Sequence, residues 1–282
     1  MAQAEAPADT AAHRAPPDAA PAAAEPAARP GTRQLPLWEL GLGVGGLHLP
    51  HYRGADQAHG WLLPLPYYAY RGLIFKADRD GARAVLLDRR DAEVDISLSA
   101  SPPLRSRDNR ARAGMAALKP LLELGPNLNL TLQRQAGWKL DLRLPLRAAL
   151  TVQHSPQFVG WSSTPNLNLD VRELAGWNLG LLAGPVLGSR GLHGHFYDVD
   201  AAQAMPGRPA FRAAGGFAGV QALAALSRRD GQRWSGLFVK LDSLHGAAFA
   251  DSPLVRQRLQ WSAGFAVSWV LLQSDTRVAA ER

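Results

Sequence analysis

The sequence predicts an all-β fold, a transmembrane antiparallel β-barrel of ~12 strands with a disordered N-terminal leader, and three observations predict it. Apolar residues recur at every second position, long and short connections alternate along the chain, and tryptophans stand at strand ends. No window approaches the ~18 consecutive apolar residues of a membrane-spanning helix. Mean hydropathy is −0.15. A helical membrane protein is therefore excluded, whereas a barrel, which crosses on alternating segments of ~10 residues, is not.

The leader comes first. Residues 1–34 hold 14 Ala and 6 Pro with no apolar periodicity, too little burial to offset the entropy of ordering them. They lack the apolar core of a secretory signal, but Ala2-Gln-Ala4 resembles a cleavage triplet. The expectation is that a signal was removed or that the start codon lies upstream. The barrel is expected over 35–272 and a short tail over 273–282.

From Trp38 onward the strands follow. Trp138, Leu140, Leu142, Leu144 and Leu146 share one face, and Lys139, Asp141, Arg143 and Arg147 the other. Glu93–Ala100, Asn127–Leu132 and Asn166–Arg172 alternate in the same way. Strands are expected near 38–49, 62–70, 73–78, 82–88, 92–101, 118–132, 138–150, 161–174, 177–188, 211–228, 233–245 and 259–271. The Ala-rich stretch 213–226 is the one segment that also fits a helix. Every second connection is short (71–72, 89–91, 133–137, 175–176, 229–232). Those between them are long (50–61, 102–117, 151–160, 189–210, 246–258), except for the tight turn Arg79-Asp-Gly81. Short turns at one end and long loops at the other are the asymmetry of an outer-membrane barrel. Leu130–Leu144 and Leu169–Ala183 repeat a strand, an Ala-Gly-Trp turn and a second strand, a hairpin used twice.

If the Leu face meets lipid, Glu93, Asp95, Lys139, Asp141, Arg143, Asp170 and Arg172 line the lumen, where opposite charges can pair. Trp38, Trp61, Trp138, Trp161, Trp177, Trp261 and Trp269 then form the interfacial girdle, their rings in lipid and their N–H groups in reach of water. Trp234 shares its parity with Lys240 and not with the Leu face.

Chemistry-bearing motifs are few. With 0 Cys there are no disulfides, thiolate sites or Cys nucleophiles. His48-Leu-Pro-His51 and His193-Gly-His195 have no third ligand at metal spacing, and no Gly-x-Ser-x-Gly elbow is present. Gly41, Gly43, Gly45 and Gly46 alternate with apolar residues and precede no helix, so they read as crowded barrel wall, not a phosphate loop. No catalytic residue, cofactor or metal is expected. Of 31 basic residues 27 are Arg, giving a net charge of +7, yet they are scattered and no nucleic-acid motif accompanies them. Nucleic acid is therefore not an expected partner. Outer-membrane lipid is, and the loop arginines Arg53, Arg105, Arg107, Arg110 and Arg112 are placed to meet lipopolysaccharide phosphates or to stand solvated.

Several ordered motifs resemble the MltA-interacting protein (MipA/OmpV) family. They are His48-Leu-Pro-His-Tyr-Arg-Gly-Ala-Asp56, Leu63-Pro-Leu-Pro-Tyr-Tyr-Ala-Tyr-Arg-Gly72, Asp78-Arg-Asp-Gly-Ala-Arg83, Asp108-Asn-Arg-Ala-Arg-Ala-Gly-Met115, Leu122-Glu-Leu-Gly-Pro126 and Ala250-Asp-Ser-Pro-Leu-Val255. Within them the resemblance singles out Pro50, Tyr52, Arg53, Gly54, Asp56, Pro66, Tyr67, Tyr70, Arg71, Gly72, Asp78, Asp80, Gly81, Asp108, Asn109, Arg110, Arg112, Gly114, Met115, Glu123, Gly125, Pro126, Asp251, Ser252 and Pro253. It implies a non-enzymatic outer-membrane barrel acting as a scaffold between a lytic transglycosylase and a peptidoglycan synthase. A narrow channel for polar solutes and an adhesin working through the long loops are the alternatives. The chain departs from the family pattern by continuing past Leu271 to Arg282 instead of ending on an aromatic residue.

Overall fold

The computed structural model describes residues 32–281 except 72–74, 79–80, 90, 102–105 and 153. Its strands are β1 (Thr32–Pro36), β2 (Trp38–Pro50), β3 (Ala58–Arg71), β4 (Phe75–Asp78), β5 (Gly81–Asp88), β6 (Ala92–Ser101), β7 (Leu121–Arg134), β8 (Trp138–Thr151), β9 (Phe158–Ser163), β10 (Asn166–Leu174), β11 (Trp177–Gly188), β12 (Gly216–Asp230), β13 (Arg233–Ser243), β14 (Leu259–Gln273) and β15 (Arg277–Glu281). One helix, α1 (Arg190–Tyr197), lies between β11 and β12.

Strands β2 to β14 form one antiparallel sheet that closes on itself, because β14 returns to β2 in the register Val267↔Val44. Strands β9 and β10 fill one place in the wall. Both pair with β8, at Trp161↔Ala148 and Leu169↔Leu140, and both pair with β11, at Ser162↔Gly188 and Leu169↔Leu181. They are a single strand interrupted at Thr164-Pro165, where proline supplies no N–H. The thirteen segments therefore make a barrel of twelve strands. Closure pairs the lateral backbone groups of most strands, as a strand wall in hydrocarbon requires, and among the described residues leaves Ala58–Ala69 of β3 without a strand on the side away from β2.

Side-chain alternation sorts the faces. On β8, Asp141 is buried towards the lumen while Leu146, one face over, is 54% exposed on the outside. The inward face of β2 carries Gly41 and Gly43 for a steric reason. A Cβ on Gly41 would lie 2.2 Å from the Trp269 carbonyl oxygen, and one on Gly43 2.3 Å from that of Val267. The two repeated hairpins, β7–β8 and β10–β11, are neighbours in the wall, joined at Lys139↔Asp170.

At the chain ends, residues 32–34 of the expected leader and 277–281 of the expected tail are strand, β1 and β15 pairing from Thr32↔Glu281 to Pro36↔Arg277. Residues 1–31 lie outside the described residues. The Ala-rich stretch is strand β12, beginning at Gly216, not 211.

Candidate functional site

At the long-loop end, four connections fold over the mouth and build the largest buried apolar cluster of the described residues. Tyr52 and Ala55 come from the β2–β3 loop, Leu118 from β6–β7, Tyr197, Val199 and Ala213 from β11–β12, and Leu244, Ala247, Phe249 and Leu254 from β13–β14. Phe249 stacks on Tyr197 with ring centroids 3.7 Å apart at 8°. The cap is also laced by hydrogen bonds between loops. The Tyr52 hydroxyl donates to the Leu254 carbonyl at 2.8 Å, the Tyr197 hydroxyl to that of Arg53 at 2.7 Å, and the Ser252 hydroxyl to that of Tyr197 at 2.8 Å. Burial pushes the Tyr52 phenol up to about 12 and raises that of Tyr197 as well.

Helix α1 is seated inside this mouth. Ser189 caps it by accepting from the Leu192 amide, and the same hydroxyl accepts from the Trp161 amide of β9 at 3.0 Å. Helix and strand approach so closely that a Cβ on Gly191 would meet the Val159 carbonyl oxygen at 2.2 Å.

Below the cap lies a cavity of about 3020 Å³ that continues to the short-turn end, where Gln133, Gly137 and Glu173 line it. Its wall is polar and internally paired. Asp95 accepts from Asn127 and Asn129 at 3.2 and 2.7 Å. Lys139 meets Asp141 at 3.0 Å and Arg143 meets Asp170 at 4.0 Å. Arg147 donates to Ser97 at 2.8 Å, and the Ser162 hydroxyl donates to Glu123. Across the lumen, Asp242 bridges Lys240 and Arg53, each at 3.0 Å. At the short-turn end Glu39, fully buried, is gripped by Arg71 at 2.8 Å and Arg229 at 2.7 Å.

Glu93, Asp95, Lys139, Asp141, Arg143, Asp170 and Arg172 all line this cavity. The girdle residues divide. Trp161 and Trp261 face outward at the long-loop end, as do Trp38, Trp138, Trp177 and Trp269 towards the short-turn end. Trp61 is a correction: it pairs with the inward Leu47 and its ring sits against His59 at 4.5 Å on that inner side. Trp234 also points inward, 6.2 Å from Tyr67.

The motif residues gather in three places. Pro50, Tyr52, Arg53, Gly54, Asp56, Asp108, Asn109, Arg110, Arg112, Gly114, Met115, Asp251, Ser252 and Pro253 belong to the cap loops or their roots. Pro66, Tyr67, Tyr70 and Arg71 occupy the lower half of β3, and Glu123, Gly125 and Pro126 lie on β7. Asp78 and Gly81 pair at the tip of the β4–β5 hairpin, whereas Gly72 and Asp80 fall outside the described residues. Two loop arginines depart from the expected outward role. Arg112 is buried and donates to the Phe196 carbonyl at 2.8 Å, and Arg53 turns down to the buried Asp242 carboxylate, which it shares with Lys240. Arg110 remains exposed beside Asp56, and Arg105 is outside the described residues. Sequence reasoning missed Glu39 and Arg208, and it gave His193 and His195 no role. Arg208 clamps the cap by donating to the Ala111 and Ala113 carbonyls at 3.1 and 2.7 Å.

His193 and His195 give the cap a pH dependence. The His193 ring packs edge-on to Phe249 and donates through Nδ1 to the Ala214 carbonyl at 2.7 Å, and His195 donates through Nε2 to that of Lys119 at 3.2 Å. Burial holds both imidazoles below their ordinary value, against the raising effect of those carbonyls, with Arg53 near the first and Arg112 and Lys119 near the second adding to the depression. The closed cap therefore refuses protons that opened loops accept below about pH 6.5, so its stability is complete above that pH and declines beneath it. Protease cleavage of the loops in the membrane-embedded protein should accelerate from pH 7 to pH 5, and His193→Gln should flatten that rise. A cleavage rate independent of pH would remove the assignment.

A family model for the MltA-interacting protein MipA matches residues 42–271. No curated protein matches the sequence. Among solved structures, a bacterial polysaccharide outer membrane secretin aligns over 83% of this chain and 99% of its own at 8% identity and a TM-score of 0.39. A Pseudomonas aeruginosa FadL homologue aligns over 86% and 70% at 9% identity and 0.36. The outer membrane phospholipase A of Escherichia coli aligns over 84% and 94% at 11% identity and 0.31. At such scores the fold stands on the strand registers themselves. With 42–271 matched and the wall closed with its apolar face outward, the chain belongs to the MltA-interacting protein MipA family and is a β-barrel of the outer membrane.

Proposed function

We propose that the barrel is a non-enzymatic scaffold that presents its periplasmic end to a lytic transglycosylase of the MltA kind and, through it, to peptidoglycan synthesis. The family's name supplies the partner class. The observation that carries the reading is the cap: with the outer mouth packed by an apolar core, the surfaces left for a partner lie at the turn end. That end carries the turns 133–137, 175–176 and 230–232 and the β1–β15 pair, which is continuous with β2 and β14. Full replacement of 229–232 is undesirable because Arg229 holds Glu39.

Replacing 133–137, 175–176 and 230–232 together should abolish co-purification of the transglycosylase from envelopes while leaving heat-modifiable gel migration intact. Undiminished co-purification from the folded variant would refute the scaffold surface. The large polar lumen favours a second reading, a channel that conducts when the cap opens, and steady single-channel conductance of the unmodified protein would select it.

A further inference from the structure

The wall is not level. Strand β3 runs 14 residues, but the next two strands run 4 and 8. At ~3.3 Å per residue β4 climbs only ~13 Å, well short of the ~9–11 residues with which a tilted strand crosses a bilayer. Strand β3 meets β4 only at Tyr70 and Arg71. Among the described residues, Ala58–Ala69 have no strand on the side away from β2. The last described pair of the β4–β5 hairpin is Asp78↔Gly81, and among the described residues β5 leaves Leu98–Ser101 of β6 unpaired on that side.

The backbone of β3 is adapted to this vacancy. Hydrogen bonds from the Arg71 amide to the Leu37 carbonyl and from the His51 amide to that of Gln57 direct the odd residues towards β2. The even residues Gly60, Leu62, Pro64, Pro66 and Tyr68 therefore direct their backbone groups into the gap. Two of the five are prolines, which have no N–H to leave unpaired at an edge. Open edges facing lipid are tolerated only where they border a polar cavity or a partner.

The cavity passes through the notch. Its lining includes Pro66 and Tyr68 from the outward face of β3 and Leu98 from that of β6, together with inward Ser99, Glu123 and Arg147. The outer lip is apolar, with Leu62 70% and Leu98 54% exposed, whereas the inner lip carries hydroxyls with a cation and an anion. We propose that the notch is a lateral portal through which a zwitterionic glycerophospholipid of the surrounding bilayer sets its head group in the lumen, between Arg147 and Glu123, while its acyl chains stay in the membrane. The proposal does not depend on the scaffold reading.

With 0 cysteines in the chain, single-cysteine labelling is direct. Ser99→Cys, Leu142→Cys on the lipid face and Asn168→Cys on the far inner wall each carry a small fluorophore in phosphatidylcholine liposomes containing phosphatidylcholine with a nitroxide on its head group. Only variants with heat-modifiable migration are compared, and Ser101→Cys, on the same inward face of β6, replaces Ser99→Cys if the latter does not fold. The portal requires fluorescence loss at Ser99 approaching that at Leu142, with Asn168 unquenched. Quenching at Ser99 no greater than at Asn168 overturns it. If a nitroxide diacylglycerol quenches Ser99 as well as the zwitterionic lipid does, the portal stands and the head-group site is refuted.

Discussion

Phe249→Ala should open the lumen without unfolding the barrel. The ring is 1% exposed, stacked on Tyr197 and met edge-on by His193 at 4.7 Å. Removing such a side chain costs ~3–5 kcal/mol through lost burial and the cavity left behind. The cost falls on the cap, whose core is built from loops, and not on the ladders that close the wall. Total stabilities are only ~5–15 kcal/mol, so a subunit of the fold as small as the cap would lose most of its own. The expected results are stable conductance in planar bilayers, rapid proteolysis within 189–215 and 244–258, and unchanged heat-modifiable migration. Tyr197→Phe keeps the stack and leaves only the Arg53 carbonyl without its donor, a cost of ~1–3 kcal/mol, so it should give intermittent opening. A Phe249→Ala barrel that stays closed and protease-resistant would mean that the cap is not held by this core.

The strands of the wall were legible because lipid on one side and paired charge on the other enforce a strict period of two, as in Trp138–Arg147. Where that contrast lapses, so does legibility. Leu62-Leu-Pro-Leu-Pro66 is apolar on both faces, and the side to which Trp61 points could not be read from it. The cap was opaque for a different reason. Helix α1 is eight residues with Gly191 and Gly194 inside it, a weak helix former by propensity, and it exists because Ser189 caps it and because the β9 backbone leaves room for Gly191. Likewise, the inward turn of Arg53 and Arg112 depends on carbonyls and carboxylates brought from distant loops. The β1–β15 pair joins residues at opposite ends of the sequence, and no local pattern announces such a register. The short connection expected at 79–81 was the exception in the pattern; residues 79–80 lie outside the described residues, and the strands on either side of them are where the wall is low.

The charge cluster at the short-turn end predicts the second large effect. Glu39 lies on the inward face of β2, fully buried, its Oε2 accepting from Arg71 and from Arg229 at 2.8 Å each and its Oε1 meeting Arg229 at 2.7 Å. Arg71 reaches further, donating to the Pro36 carbonyl at 2.9 Å, so one carboxylate ties β2 to β3, to β12 on the other flank and to the β1–β15 pair. Glu39→Gln preserves shape but leaves two guanidinium groups facing one another around a neutral amide. Breaking a buried ion pair from one side costs ~3–5 kcal/mol, whereas replacing all partners with apolar residues of similar size is often neutral. Glu39→Gln should therefore unfold at markedly lower urea than the unmodified barrel in liposomes, and should expose the β1–β15 pair to protease first. Replacing Glu39, Arg71 and Arg229 together by Met should recover much of the lost resistance, since no charge is then left stranded. If Glu39→Gln unfolds where the unmodified barrel does, the cluster is not what fastens the short-turn end, and the strand ladder alone holds it.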